Sequence, residues 1–436
     1  MRPSPRAASW SSRFLLTALL GAAVFAGTAA AQDEPARYDG HKVVRAEIAN
    51  ERDLQTMLRL SDDVWSEHIG IGPADFRLRP ESMAALGAAG VAYEVLIDDV
   101  QSLIDAERAR LASPVQGAGW FDDYKDLDAI NARMDTLAAL RPDLAEGFAV
   151  GTSIEGRPIK GLRISNHVAS DRRRPGMVFG ATQHAREWIA PMVTMYLAEA
   201  LITRYDTDPV IKRFVDRIEF FIVPVVNPDG YVYTWTTNRL WRKNRRDIVG
   251  STCFGIDLNR NWGHQWGLPN GSSGDPCNDL YRGTTAFSEP ETAAMRDFIV
   301  ARPWVRYVHD MHSYGQLLLQ PWGYTSAPPP RHETYEALGA AMAQLIQAVH
   351  GSTYVHGPTY TTLYPVSGSA SDWAWGAEQA YSFVFELRGN GFILPPDQII
   401  PNSEEILPAA LHLAAWILHP AVSIAGDGAL LPVQAK

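Results

Sequence analysis

Gly176-Met177-Val178-Phe179-Gly180-Ala181-Thr182-Gln183-His184-Ala185-Arg186-Glu187-Trp188 is the stretch from which the rest of the chain can be read. Gly176 to Gly180 is a short apolar run bounded by glycines, the pattern of a buried strand, and a helical pattern follows from Pro191 to Arg204. His184 and Glu187 therefore sit in a loop between strand and helix, where α/β sheets place their ligand-binding loops. An imidazole and a carboxylate separated by two residues can both face one metal, although that spacing by itself is a weak signal.

Working outward, further strands are expected at Ile218 to Val226, Val305 to His309 and Tyr381 to Leu387. Helices are expected at Asp122 to Leu140, Glu289 to Ala301, Arg331 to Val349 and Glu404 to Leu418. Strands alternating with helices indicate an α/β sheet with helices on its faces. Ser288 and Glu291 have the spacing of a capping box, and Asn227-Pro228-Asp229-Gly230 reads as a turn that stops a strand.

His312 is the candidate third metal ligand, with His309 its rival. Residues three apart on a regular strand point to opposite faces, so only one of the two can join the metal. His312 is preferred for its place at the strand end. Two imidazoles and one carboxylate form a catalytic zinc set that leaves a position for water. Glu386, inside the apolar run Tyr381 to Leu387, is the candidate general base; a salt bridge to Arg388 on the same face is the alternative. Basic and amide side chains at Trp241 to Arg246 and Asp257 to Trp262 could grip a carboxylate, or could form a solvated basic loop.

Before this catalytic-sized region, Lys42 to Ile48 (strand), Glu51 to Leu60 (helix), an extended segment, Glu81 to Leu86 (helix) and Val91 to Ile97 (strand) outline a small α+β unit. An amphipathic helix from Val100 to about Leu111 leads into a Pro/Gly-containing linker at residues 112–119, taken as the domain boundary. Residues 1–31 carry Arg2, Arg6 and Arg13, an apolar stretch from Phe14 to Ala26 and a small-residue end at Ala29-Ala30-Ala31, the composition of a secretory signal peptide. The expected division is thus leader 1–31, α+β unit 32–117, catalytic domain 118–420 and tail 421–436, with no later run of about 20 apolar residues to span a membrane. Export would let Cys253 and Cys277, the only two cysteines, pair across a loop of about 25 residues; two separate buried thiols are the alternative. A formal net charge of -10 argues against a nucleic-acid partner.

Together, His184 to Trp188, Asn227 to Tyr231, Trp241 to Arg245, Asp257 to Trp262, His312 to Tyr314 and Phe385 to Arg388 resemble the pancreatic-type zinc carboxypeptidases of the A/B group, in identity and in chain order. The resemblance implies a mixed sheet flanked by helices and one zinc ion held by His184, Glu187 and His312. It implies that Glu386 is the general base, that Arg245 stabilises the oxyanion, and that Asn259, Arg260 and Tyr364 bind the terminal carboxylate of a peptide. Arg242, Arg186 and Tyr314 would line the approach for upstream residues, and Asp257 would orient the first histidine. Cys253 and Cys277 match a disulfide of the family. Ser371, before Asp372-Trp373, falls at the floor of the side-chain pocket, where Val366 and Val384 tilt the preference toward apolar or neutral residues; Phe392 is a pocket-edge position in a shortened loop. Residues 33 to about 111 resemble the family's propeptide in length, element order and position, with Arg108 and Arg110 as processing points for an activating protease. The implied protein is a secreted zymogen acting on peptide C-termini. A cell-wall peptide amidase and a non-catalytic zinc-binding protein are the alternatives.

Overall fold

The computed structural model describes residues 34–66, 70–113, 119–166, 174–419, 422–424 and 430–432. The expected leader, most of the linker and most of the tail lie outside the described residues.

The N-terminal region runs β1 (Lys42–Ile48), α1 (Glu51–Leu60), β2 (Ser61–Val64), β3 (Gly72–Leu78), α2 (Pro80–Ala89), β4 (Tyr93–Ile97) and α3 (Val100–Ala112). Its strands form an antiparallel sheet in the order β2-β3-β1-β4. Val44, Ala46 and Ile48 alternate onto one face with Ala74, Phe76 and Leu78, where Met57 of α1 and Leu86 of α2 cover them. Asn50 caps α1 by accepting from Asp53 N–H, and Asp99 caps α3 by accepting from Gln101 and Ser102 N–H. The extended segment after α1 is thus a pair of strands.

The second region contains α4 (Leu127–Leu140), β5 (Ala145–Thr152), β6 (Pro158–Ile164), β7 (Gly176–Ala181), α5 (Ile189–Thr203), α6 (Pro209–Val215), β8 (Glu219–Val223) and α7 (Pro228–Thr236). It continues through α8 (Pro290–Val300), β9 (Val305–Ser313), β10 (Leu317–Gln320), α9 (His332–His350), β11 (Val355–Pro358), α10 (Thr359–Thr362), α11 (Ala370–Gly376), β12 (Tyr381–Leu387) and α12 (Ile399–Leu418). Short strands β13 (Val422–Ile424) and β14 (Leu430–Pro432) pair with each other after it.

Strands β5 to β12 make one mixed sheet in the order β11-β10-β12-β9-β7-β8-β6-β5, with β12, β9, β7 and β8 parallel at its centre. These central strands are buried on both faces. Met177, Phe179, Phe383 and Phe385 pack under α4, α5, α9 and α12, while Val178, Phe221 and Val308 pack under α8 and α11. Each buried phenylalanine contributes about 2–3 kcal/mol. The chain leaves β7 toward β8 on one side and later returns β9 to the other, so the loop after β7 stands at the point where strand order reverses.

Two local expectations are corrected. Asn227-Pro228-Asp229-Gly230 begins a helix instead of a free turn: the Asn227 side chain accepts from Gly230 N–H and Pro228 occupies the first helical position. Ser288 and Glu291 form no capping box, because Ser288 Oγ donates to Glu289 and Glu291 accepts from Ile154 N–H across the fold. In addition, β9 runs past His309 to Ser313, carrying His312 within the ladder.

Candidate metal centre

His184 and Glu187 are held in the short connection between β7 and α5, and His312 comes from β9, the strand beside β7. All three are buried, and among the described residues they form the one group of histidine, cysteine or acidic side chains close enough to hold an ion. Each imidazole turns Nδ1 toward a different oxygen of Glu187, at 2.8 Å from His184 and 2.9 Å from His312. Their other nitrogens are engaged behind the cluster: His184 Nε2 with Asp257 Oδ1 at 3.1 Å, His312 Nε2 with Asp310 Oδ2 at 2.8 Å. Carboxylates behind ligating imidazoles fix ring orientation and tautomer. Two Nδ1 atoms and one carboxylate converging on a common point fit a zinc site with an open position.

The electrostatics follow this arrangement. Burial pushes the Glu187 carboxyl up, but His184 and His312 outweigh it and hold it below the usual carboxylate range. Burial likewise pushes Asp257 up, and Arg242, His184 and Arg260 bring it well below that range. His309 points to the opposite face, with Nδ1 at 2.8 Å from Tyr307 Oη, and burial holds its pKa down at about 3. It is a core histidine.

Glu386 is directly opposite His312 in the parallel register of β12 and β9, and Arg388 pairs with Glu405 instead of Glu386. The cluster opens onto a pocket lined by Arg242, Asn259, Arg260, Tyr364, Ser371 and Glu386, with Leu319, Leu363, Val366 and Val384 along its apolar side. Arg260 donates to Tyr364 Oη at 2.9 Å, and Arg242 donates to Asp257 at 3.0 and 3.2 Å.

Arg245 is not part of this assembly. Its guanidinium lies 3.6 Å from the Tyr233 ring centre and 4.8 Å from that of Trp241, whereas Arg242, three residues earlier, lines the pocket. The chain turns between them: Asn244 is pinned by Glu289 and Arg246 by the same carboxylate. Sequence reasoning passed over Arg239, Asp310, Leu319, Thr359 and Leu363. Asp310 had a legible signal, since a residue two before His312 shares its strand face.

Arg186 and Tyr314 both meet the N-terminal unit. Arg186 donates to Asp63 at 2.8 Å, and Tyr314 donates to Asp75 at 3.1 Å. Phe392 packs edge-on to Trp65 and Tyr314 and lies under the Arg186 guanidinium, beneath the N-terminal unit. Arg239 and Glu107 of α3 form an ion pair that is 2% exposed on either side. A cavity of about 380 Å³ remains between Asp62, Asp63, Ser66 and the side chains of Arg186, Arg242 and Tyr364. Cys253 and Cys277 are bonded in a disulfide. No described helix is long and apolar enough to cross a membrane.

Comparison with known proteins agrees with this geometry. Residues 130–409 match the family described as zinc carboxypeptidase, and residues 44–107 match the carboxypeptidase activation peptide. The chain is 35% identical to mouse carboxypeptidase A1, covering 92% of this chain and 97% of that protein. It is 34% identical to bovine carboxypeptidase B, over 89% and 96% of the two chains. Among solved structures it resembles carboxypeptidase A from Helicoverpa armigera (TM-score 0.77, 30% identity, 88% of this chain and 98% of that one). It also resembles thrombin activatable fibrinolysis inhibitor (TM-score 0.80, 29% identity, 87% and 99%). The chain belongs to the zinc carboxypeptidase family, as a metallocarboxypeptidase preceded by its activation peptide.

Proposed function

We propose that this is the precursor of an exported zinc carboxypeptidase that removes single apolar or neutral residues from peptide C-termini. The observation that carries the reading is one pocket combining the three-residue metal cluster, a buried carboxylate and a grip for an anion. His184, Glu187 and His312 hold the metal. Zinc bound there supplies Lewis acidity, polarising the scissile carbonyl and lowering the pKa of water. Glu386 accepts the proton of the attacking water and hands it to the leaving amine. Arg242, restrained by Asp257, faces the developing oxyanion, the role that the sequence suggested for Arg245. Asn259, Arg260 and Tyr364 take the terminal carboxylate, the guanidinium through paired hydrogen bonds.

Side-chain preference rests on the pocket lining. Leu319, Leu363, Val366 and Val384 present apolar surface, Ser371 and Thr359 add neutral hydroxyls, and among the described residues Glu386 is the one acid in the lining. A basic substrate side chain would find no carboxylate other than the one needed for catalysis. Export is supported by the leader composition and by the disulfide.

Residues 32–117 act as a cover, with the catalytic domain taken as 118–420. Asp63 and Asp75 occupy Arg186 and Tyr314, the side chains proposed to receive upstream substrate residues. Arg108 and Arg110 are the proposed processing points; Arg110 is tied to Asp123 and both lie in α3, so a protease must first fray that helix.

The test uses the chain without its leader, processed with trypsin, on N-blocked dipeptides ending in Phe, Leu, Lys or Glu. Chelator-sensitive release of the last residue, fastest for Phe or Leu and lost in Glu386→Gln, is the expected result. No release by the folded, zinc-loaded, processed protein would overturn the reading.

A further inference from the structure

Behind the proposed metal and carboxylate sites lies a carboxylate to which neither the motifs nor the family match assigns a role. Asp310 is 4% exposed and sits two residues before His312 on β9, so both side chains leave the same face of the strand. One of its oxygens, Oδ2, meets three nitrogens: Gln183 Nε2 at 2.5 Å, His312 Nε2 at 2.8 Å and Asn259 Nδ2 at 3.1 Å.

The orientation of each donor is set by a neighbour that allows only one answer. Gln183 Oε1 accepts from the Trp262 indole at 2.9 Å, and an indole N–H can only donate, so the amide nitrogen must turn to Asp310. Asn259 Oδ1 accepts from Ala370 N–H at 2.9 Å, which likewise turns its nitrogen to Asp310. His312 Nε2 faces Asp310 Oδ2, and an ionised carboxylate can only accept, so Nε2 carries hydrogen and donates, and the Nδ1 lone pair is the one that a metal beside Glu187 would meet. Three N–H groups from three separate segments thus converge on one acceptor. His312 Nε2 and Asn259 Nδ2 are 3.1 Å apart, and two donors at that separation need a shared acceptor to hold them together.

We infer that Asp310 is a positioning residue that sets two parts of the site at once, the ring of His312 toward the metal and the amide of Asn259 toward the substrate carboxylate. It does for His312 what Asp257 does for His184, giving each imidazole its own carboxylate. The metal half of the inference stands on the donor geometry alone. The Asn259 half rests on the proposed carboxypeptidase reading.

The experiment titrates the metal-free full chain with Zn²⁺ against a chelating indicator, for the unsubstituted protein and for Asp310→Ala, Asp310→Ser and Asp310→Asn. Alanine and serine leave Nε2 without its acceptor and should weaken zinc about 10- to 100-fold. Asparagine keeps an acceptor oxygen and should recover at least about threefold of that loss. A role confined to packing would lower the melting temperature of the metal-free protein while leaving zinc affinity unmoved. If the alanine variant does not fold, the serine variant gives the same readout. A folded alanine or serine variant binding zinc within about twofold of the unsubstituted protein overturns the proposal. At saturating zinc, the processed variants should show a raised KM for a free C-terminus with a smaller change in kcat; an unchanged KM overturns the Asn259 half. Because zinc titration needs no turnover, failure of the peptidase reading would leave the metal half standing.

Discussion

Arg242 and Arg245 are three residues apart and have different surroundings: the first is hydrogen-bonded to Asp257 beside the metal cluster, the second is stacked over Tyr233. Arg242→Ala should therefore lower kcat about 100- to 1,000-fold, the loss typical of an oxyanion donor, while Arg245→Ala should leave it within a few-fold. Steady-state kinetics on a blocked dipeptide distinguish the two. Glu386→Gln should remove about 100- to 10,000-fold of activity with zinc retained, measured as turnover against metal content. Burial, with the neighbouring acids Glu289 and Asp229 adding to it and backbone hydrogen bonds opposing it, raises the Glu291 pKa to about 7, and burial raises Asp372 to about 7 as well against the hydrogen bonds from Gly323 and Tyr324 N–H. The folded protein holds these protons more tightly than the unfolded chain, so stability falls as pH rises from the unfolded values toward 7. The slope is at most about 1.4 kcal/mol per pH unit for each group, and Glu291→Gln should flatten its share in denaturant titrations between pH 5 and about 8. At this scale the His184, Glu187 and His312 cluster and the placement of Glu386 beside it were legible because their residue types sit at strand ends or within an apolar strand. Which arginine lines the pocket was not, because that depends on how a loop without periodicity is pinned by Glu289.

Elements with a strong period were legible to within a few residues: β1, α1 and β12 have the expected limits, and α3 differs by one residue. β5 and β6 were not, since glycines at 147, 151 and 161 dilute their apolar pattern and β5 is largely exposed at the sheet edge. The loop carrying Tyr364 is positioned by contacts distant in sequence. A Cβ on Gly271, where φ is +86°, would come within 2.3 Å of Pro365 O, so this glycine lets two loop backbones meet. Gly271→Ala should displace the Tyr364 loop and raise KM more than it lowers zinc affinity, as read by kinetics beside metal titration. The disulfide bridges a sequence separation of 24 residues in the same region; its reduction should cost about 3 kcal/mol, seen in melting curves with and without reductant.

Across the whole molecule, the two regions are joined by polar pairs as well as by apolar packing. Val43, Trp65, Val100 and Ile104 of the N-terminal unit meet Leu240, Tyr314 and Phe392 of the catalytic domain, with the buried Glu107–Arg239 pair beside them. Glu107→Ala leaves Arg239 buried without that partner and should weaken the precursor by about 3–5 kcal/mol while leaving the processed enzyme unaffected. Faster tryptic release of the N-terminal unit, with earlier onset of activity, is the measurement. This interface could be anticipated from sequence only as a domain in the right place, because its pairs join residues more than a hundred positions apart. The register of His312 opposite Glu386 has one further consequence. Their separation is fixed by a hydrogen-bonded ladder in the centre of the sheet, whereas Tyr364 and its neighbours hang on a loop. Gentle warming should therefore impair capture of the peptide's end before it disturbs the pair of strands that carries the proposed ligand and base, and function should fade in two stages, grip first and chemistry later.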